Sequence, residues 1–405
     1  MNKKKTIAAS LVIIFLISII ISYFDPQTRH FVTKTLGIKK APESTPTIAI
    51  TEYKTGINAP TMMTFVNNDI LYFEKYTGKI RLIKDGELQD EPILDLNVNG
   101  AYEGGGLGIL SVNSTVFVYF TEAVKDGGEV VGDNVYKYKW KNYMLEDPTL
   151  VNHFVVYDSS HHGGAMTVDE RGSVYLIRGD QSPEGYKQQG PLQNEFDGPV
   201  DDTGVIIILG LNSTQPTPSL TLNPFNHYQA IGIRNSFGIT IDPITGYMWD
   251  TENGPEDNDE INLVLPKFNS GWSKIMGPAN NTQIKSLPQI ENFVYSDPEF
   301  TWQEPVAPTA IAFPGDRWGE EYKDSVFVSS CSGKIYKFSL NSTRTGFTFN
   351  DENLKDLVLN RDDSDDAISF LSDVGCATDI KFGPDNAMYV TSFANNGVIY
   401  RITPP

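Results

Sequence analysis

The stretch Asp169-Glu170-Arg171-Gly172-Ser173-Val174-Tyr175-Leu176-Ile177-Arg178-Gly179 sets the pattern of the chain. A polar turn with a glycine leads into a short run of β-branched and aromatic residues that stops at the next glycine, a length that suits a strand and not a helix. A second apolar run, Val205 to Leu209, follows after an insertion. The same form recurs five more times. It appears as Asn68 to Phe73 with Gly78-Lys79-Ile80, as Val116 to Thr121 with Val135 to Tyr138, and as Asp242 to Thr251 with Glu260 to Leu263. The last two copies are Asp324 to Ser329 with Gly333 to Tyr336, and Gly383 to Thr391 with Gly397 to Tyr400. Beyond residue 49 little helical periodicity interrupts them, so the chain reads as all-β.

A hairpin cannot bury both of its faces alone, and six that close around an axis satisfy one another. The expected fold is therefore a six-bladed β-propeller over residues 49–405, with a β-sandwich or a pair of sandwiches as the alternative. Uneven spacing between the units places long insertions in mid-chain, on loops at one end of the channel, where propellers carry their sites.

The 405 residues are 40% apolar and 20% charged with two cysteines, a composition of a folded globular chain. Net charge is −19, and setting aside Lys3, Lys4 and Lys5 leaves −22, which argues against a nucleic-acid partner. Those lysines precede an uncharged stretch from Thr6 to Phe24, long enough to span a bilayer and without a small-x-small cleavage pattern. Residues 1–24 are expected to form an uncleaved transmembrane signal-anchor with its N-terminus in the cytoplasm, a cleaved signal peptide being the alternative. Residues 25–48, with Pro26, Pro42 and Pro46, read as a stalk. The remainder is expected outside the cell, single-pass anchored or secreted. Sequons at Asn113, Asn212, Asn280 and Asn341 agree with an exterior glycoprotein.

Histidine is scarce, five in all, so Ser159-Ser160-His161-His162-Gly163-Gly164 stands out. A histidine in a glycine-flanked loop suits a general base, and equally a surface loop. No Gly-x-Ser-x-Gly elbow supports a serine hydrolase. A second cluster runs from Ile233-Arg234-Asn235 to Thr251-Glu252-Asn253-Gly254-Pro255-Glu256-Asp257-Asn258-Asp259-Glu260. Its interleaved carboxylates, Asn and Gly read either as oxygen ligands for calcium or as a solvated acidic loop. Cys331 and Cys376, in an exported chain, are expected to form a disulfide.

At these residues the sequence resembles the soluble glucose/sorbosone dehydrogenase family, pyrroloquinoline quinone (PQQ) dependent aldose dehydrogenases built on six-bladed propellers. The resemblance extends through Gly56-Ile57-Asn58-Ala59-Pro60, Glu103-Gly104-Gly105-Gly106-Leu107-Gly108, His161-His162-Gly163-Gly164, Gly179-Asp180, Arg234-Asn235, Glu252-Asn253-Gly254-Pro255 and Gly271-Trp272. It implies an oxidoreductase that oxidises an aldose or related sugar alcohol by hydride transfer to PQQ with calcium assistance, passing electrons to a membrane or extracellular acceptor. His161 would be the base, paired with Asp259. Arg234 and Asn235 would contact quinone and substrate, with Glu103 in the same mouth. The carbonyls of Gly254 and Pro255 would hold calcium, and Gln193, or else Gln181, would anchor the cofactor.

The departures also carry information. Members that bind PQQ tightly pair its three carboxylates with a lysine and two arginines, and this chain has Cys331, Cys376 and Thr378 there. Each lost charge-assisted hydrogen bond is worth roughly 1.5–3 kcal/mol. Lys334 is the candidate substitute. The bridge between the two cysteines would otherwise rigidify a mouth remodelled for a different ligand. Two further readings stand beside the dehydrogenase: a non-redox propeller that binds a partner, and a calcium-dependent lactonase.

Overall fold

The computed structural model describes residues 48–182, 190–198, 200–209 and 224–404. The expected anchor over 1–24, the stalk up to residue 47 and the sequon at Asn212 lie outside them. No helix among the described residues is long and apolar enough to cross a membrane.

Each of the six hairpins read from the sequence becomes the middle of one sheet, and the described residues form six sheets. Their innermost strands are Pro60–Val66, Gly106–Val112, Met166–Val168, Gly238–Ile241, Pro308–Ala312 and Ala377–Phe382. Each lies beside the next, and the last returns to the first, so the sheets close into a ring as blades of an all-β propeller. The N-terminal strand Ala49–Thr55 pairs antiparallel with the C-terminal strand Val398–Thr403, so the last blade is built from both ends of the compact unit Ala49–Pro404. That pairing leaves the ring without an open edge along its seam.

Burial explains why the second strand of each blade is so legible in the sequence. Val174–Arg178 and Ser325–Ser330 are buried at every residue, since both faces pack on neighbouring blades. The outermost Ala49–Thr55 is mostly exposed and reads as polar. Between the fourth and fifth blades, Phe300 and Phe338 stack edge-on at 4.8 Å and Trp302 lies 5.3 Å from Tyr336. Burying each such ring contributes about 1.5–3 kcal/mol. Arg344 clamps the same two blades, donating from Nη2 to Asp242 at 2.8 Å and from Nη1 to Asp324 at 2.7 Å.

In an antiparallel blade, the segment entering the inner strand and the segment leaving the second strand meet at one edge of the sheet. Glu103, His161, Arg234, Ala307 and Cys376 stand just before inner strands; Lys75, Asp180, Gly254, Cys331 and Phe393 stand just after second strands. The topology therefore gathers these residues at one end of the ring.

Candidate active site

His161 sits at the tip of the loop that enters the third blade, with a backbone φ of +56°. A non-glycine residue held in this region is strained, a feature that clusters at functional sites. The two glycines that follow are dictated by close packing. A Cβ on Gly163 would lie 2.4 Å from the Ile177 carbonyl oxygen, and one on Gly164 would lie 2.8 Å from Leu107. The Glu103 carboxylate accepts the His161 backbone N–H at 2.6 Å and pins the loop from the second blade.

The imidazole Nδ1 lies 2.7 Å from Asp180 Oδ1, both side chains being buried. Asp180 Oδ2 accepts the Trp272 indole N–H at 2.6 Å, and Oδ1 also accepts the Ser182 backbone N–H at 3.0 Å. A carboxylate so surrounded makes Nδ1 the protonated nitrogen and leaves the Nε2 lone pair available; no partner among the described residues takes it. The pair has the geometry of a base with its orienting acid.

Behind it, His162 turns away from the site. Its Nδ1 lies 2.9 Å from Asp133 Oδ2, and its carbonyl accepts the Tyr119 hydroxyl at 3.0 Å. Burial would raise the Asp133 carboxyl, but His162 and Arg178 beside it hold it below the usual range. This network is fully enclosed and fixes the floor under the His161 loop.

Arg234 lies over the Trp272 ring at 5.4 Å and donates from Nη1 to the carbonyls of Asn253 at 2.8 Å and Gly254 at 3.1 Å. Burial lowers its pKa against the pull of Asp180, Glu103, Asp259 and Glu252 around it. Among the described residues, Arg234 Nε and Asn235 Oδ1 are buried with no hydrogen-bond partner. The backbone ties the segments together: Asp180 N–H donates to Arg234 O at 2.8 Å and Asn253 N–H to Asn235 O at 2.8 Å.

The sequence model of the Glucose / Sorbosone dehydrogenase family matches residues 57–401. The chain belongs to this family. The family is one of sugar dehydrogenases, so the protein stands among the oxidoreductases. An uncharacterized protein of Synechocystis sp. is 24% identical over 377 residues, covering 86% of this chain and 84% of its own length. Aldose sugar dehydrogenase of Escherichia coli is 23% identical over 257 residues, 60% of each chain. The PQQ-bound form of aldose sugar dehydrogenase from Streptomyces coelicolor superposes with a TM-score of 0.65 at 18% identity, covering 89% of this chain and all of that one.

Several residues expected at this family's site stand elsewhere or do something else. Asp259 does not meet His161. Its carboxylate accepts the backbone N–H groups of Gly254 at 2.8 Å, Val306 at 2.7 Å and Ala307 at 2.8 Å, stapling two loops together. Asp180 holds the histidine instead. Gln193 is buried, its amide taken up by Gly190 N–H at 2.9 Å and Thr203 O at 2.6 Å, and Gln181 is likewise engaged by Tyr157 N–H and Asp133. Lys334 pairs with Asp365 at 2.5 Å, so it does not stand in for the missing cations. The Gly254 carbonyl faces the Arg234 guanidinium, and Pro255 is exposed. A calcium ion there would meet a positive charge, and the donor set as placed does not fit it. Cys331 and Cys376 form a disulfide.

Arg234 and Asn235 stand near His161 and Trp272 through the Asp180–Arg234 backbone contact and the Arg234–Trp272 stack. Among the described residues that line a cavity with Cys331, Cys376 and Thr378, the one cation is Lys75, whose Nζ is held by three carbonyls, so they offer a tricarboxylate such as PQQ no free cation and do not fit it. Trp272 and Asp180 were the contacts that sequence reasoning left without a role, although Gly179-Asp180 and Gly271-Trp272 both belong to the resemblance.

Proposed function

We propose that the protein oxidises an aldose or a related sugar alcohol to its carbonyl product, an aldonolactone for an anomeric hydroxyl, with a quinone-class two-electron acceptor reduced to the hydroquinone. The observation that carries this is the 2.7 Å contact between His161 Nδ1 and Asp180, which leaves Nε2 as a base beside Arg234 and Trp272. His161 takes the hydroxyl proton through Nε2. Asp180 stabilises the imidazolium that results, and the charge-assisted hydrogen bond between them is worth roughly 1.5–3 kcal/mol. Trp272 gives a sugar an apolar face to lie against, with the Arg234 guanidinium beside it. An acid-rich mouth suits a neutral polyhydroxyl substrate better than a phosphorylated one.

The reading places the propeller outside the cell, held by the segment from Thr6 to Phe24 behind Lys3-Lys4-Lys5, and glycosylated where the host modifies sequons. Dye-linked oxidation of a panel of neutral aldoses by the full chain, with His161→Asn as control, tests the chemistry. Turnover lost in the variant supports it. Equal rates in the two proteins, or no aldose turned over with any quinone or dye, would contradict it.

A further inference from the structure

A cavity of about 300 Å³ opens beside the His161 loop, walled by Met62, Leu107, Phe237, Phe393 and the Cys331–Cys376 bridge. It shares Glu103 and Gly163 with that loop. Its volume is at the small end of the range for small-molecule sites, enough for a one- or two-ring compound.

Apart from the exposed hydroxyl-bearing rings of Tyr76 and Tyr102, the polar groups on its wall are engaged. Thr61 Oγ1 donates to Gly106 O at 2.9 Å, Thr309 Oγ1 to Ala377 O at 2.6 Å and Thr378 Oγ1 to Pro60 O at 2.8 Å. Lys75 is the one cation on the wall. Its Nζ donates to the carbonyls of Tyr102 and Gly104 at 2.7 Å each and of Gly100 at 3.3 Å, and burial lowers its pKa to about 8. Glu103 faces the same space with a carboxylate. Lys75 and Glu103 offset each other in charge, and what remains for a ligand is mainly carbon and sulfur surface with two tyrosine rings, which offers an anion no free cation and favours an uncharged ring.

We propose that this cavity binds an uncharged quinone-type ring, and that it does so in preference to the tricarboxylate carried by the PQQ-bound relative. The bridge is central to the arrangement, since it gives the cavity a polarisable, neutral wall where a trianion would need positive charge. As an acceptor pocket the site rests on the dehydrogenase reading. As a ring-binding cavity it does not, and the test is a binding test for that reason.

Calorimetric titration of the full chain with 2-methyl-1,4-naphthoquinone, and separately with PQQ in the presence and absence of calcium, decides it. Both cysteines of the chain lie in the bridge, so the naphthoquinone finds no thiol to alkylate. The expected result is saturable one-to-one binding of the naphthoquinone. PQQ should bind at least about a hundredfold more weakly than the naphthoquinone, since its three carboxylates give up water and meet no free cation on the wall. Phe393→Ala removes one ring wall and should weaken naphthoquinone binding roughly tenfold. Thr378→Arg, which leaves the bridge intact, should weaken the naphthoquinone and strengthen PQQ. Tighter binding of PQQ than of the naphthoquinone by the native chain would overturn the proposal, and so would naphthoquinone binding absent or unchanged by both substitutions. Neither result depends on sugar turnover, so a failed cavity and a failed dehydrogenase remain distinguishable.

Discussion

Asp180→Asn is the substitution with the largest consequence at the smallest change of shape. The carboxylate receives three donors: His161 Nδ1 at 2.7 Å, Trp272 Nε1 at 2.6 Å and Ser182 N at 3.0 Å. An amide of the same size can keep the 2.6 Å Trp272 contact through its oxygen, and its NH₂ then takes the Oδ1 position, where it faces the imidazole and gives up the Ser182 contact. The ring must answer with a lone pair on Nδ1, so its proton moves to Nε2 and the base is lost. Removing the charge costs the imidazolium roughly 1.5–3 kcal/mol, a factor of about 10 to 150. The tautomer reversal deepens the loss, and asparagine in the orienting position of a histidine base elsewhere costs about 10⁴. The expected fall in kcat for aldose oxidation is therefore about 10³–10⁴, with KM little changed. Nitrogen-15 NMR of the histidines provides a readout that needs no turnover: His161 Nε2 is unprotonated in the native chain and protonated in the variant. A folded Asp180→Asn protein that keeps kcat within about tenfold, with the native tautomer, would refute the role assigned to Asp180.

Three other outcomes follow from contacts away from His161. Replacing Cys331 and Cys376 by serine opens a loop closed over a sequence separation of 45, for which chain entropy gives about 4 kcal/mol of lost stability; denaturant unfolding of the variant against the native chain measures it, and no difference would show the bridge to be energetically idle. Arg344→Leu strands the buried Asp242 carboxylate and is expected to cost about 3–5 kcal/mol, with Asp242→Asn in the same background recovering part of it. Burial raises the Glu299 carboxyl from 4.5 to about 7, so the folded state holds a proton that the unfolded chain has released. Its contribution is full below pH 4.5 and lost as pH rises to about 7, roughly 3 kcal/mol in all. Glu299→Gln should flatten that part of the stability–pH curve, and an unchanged slope would contradict the assignment.

The blades were legible because their second strands are sandwiched on both faces: Val116 to Thr121 and Val174 to Ile177 are uninterrupted apolar runs that survive any loop length between them. The inner strands were harder to read. Met166–Val168 has three residues and Gly238–Ile241 four, too few for a pattern, and the ring places them, not their own composition. At the site, His161 stood out by its scarcity and its flanking glycines and Arg234 and Asn235 by their polar cluster, while Glu103 came only with the family resemblance. The partner of the histidine was not. Asp180 stands alone after Gly179 and Asp259 lies within an acidic cluster, and neither setting names the partner; the register of Asp259 opposite Trp302, which aims it at the Gly254 and Val306 N–H groups, separates staple from orienting acid. Lys334 failed as a substitute cation for a similar reason, since its partner Asp365 comes from a loop 31 residues away.

The most direct test of the central claim is the rate of neutral aldose oxidation, followed as reduction of a quinone or dye, in the native chain and in His161→Asn. The account predicts turnover in the native chain and a loss of about a thousandfold or more in the variant, whose folding transition stays unchanged. Turnover that survives in His161→Asn would place the chemistry elsewhere on the propeller.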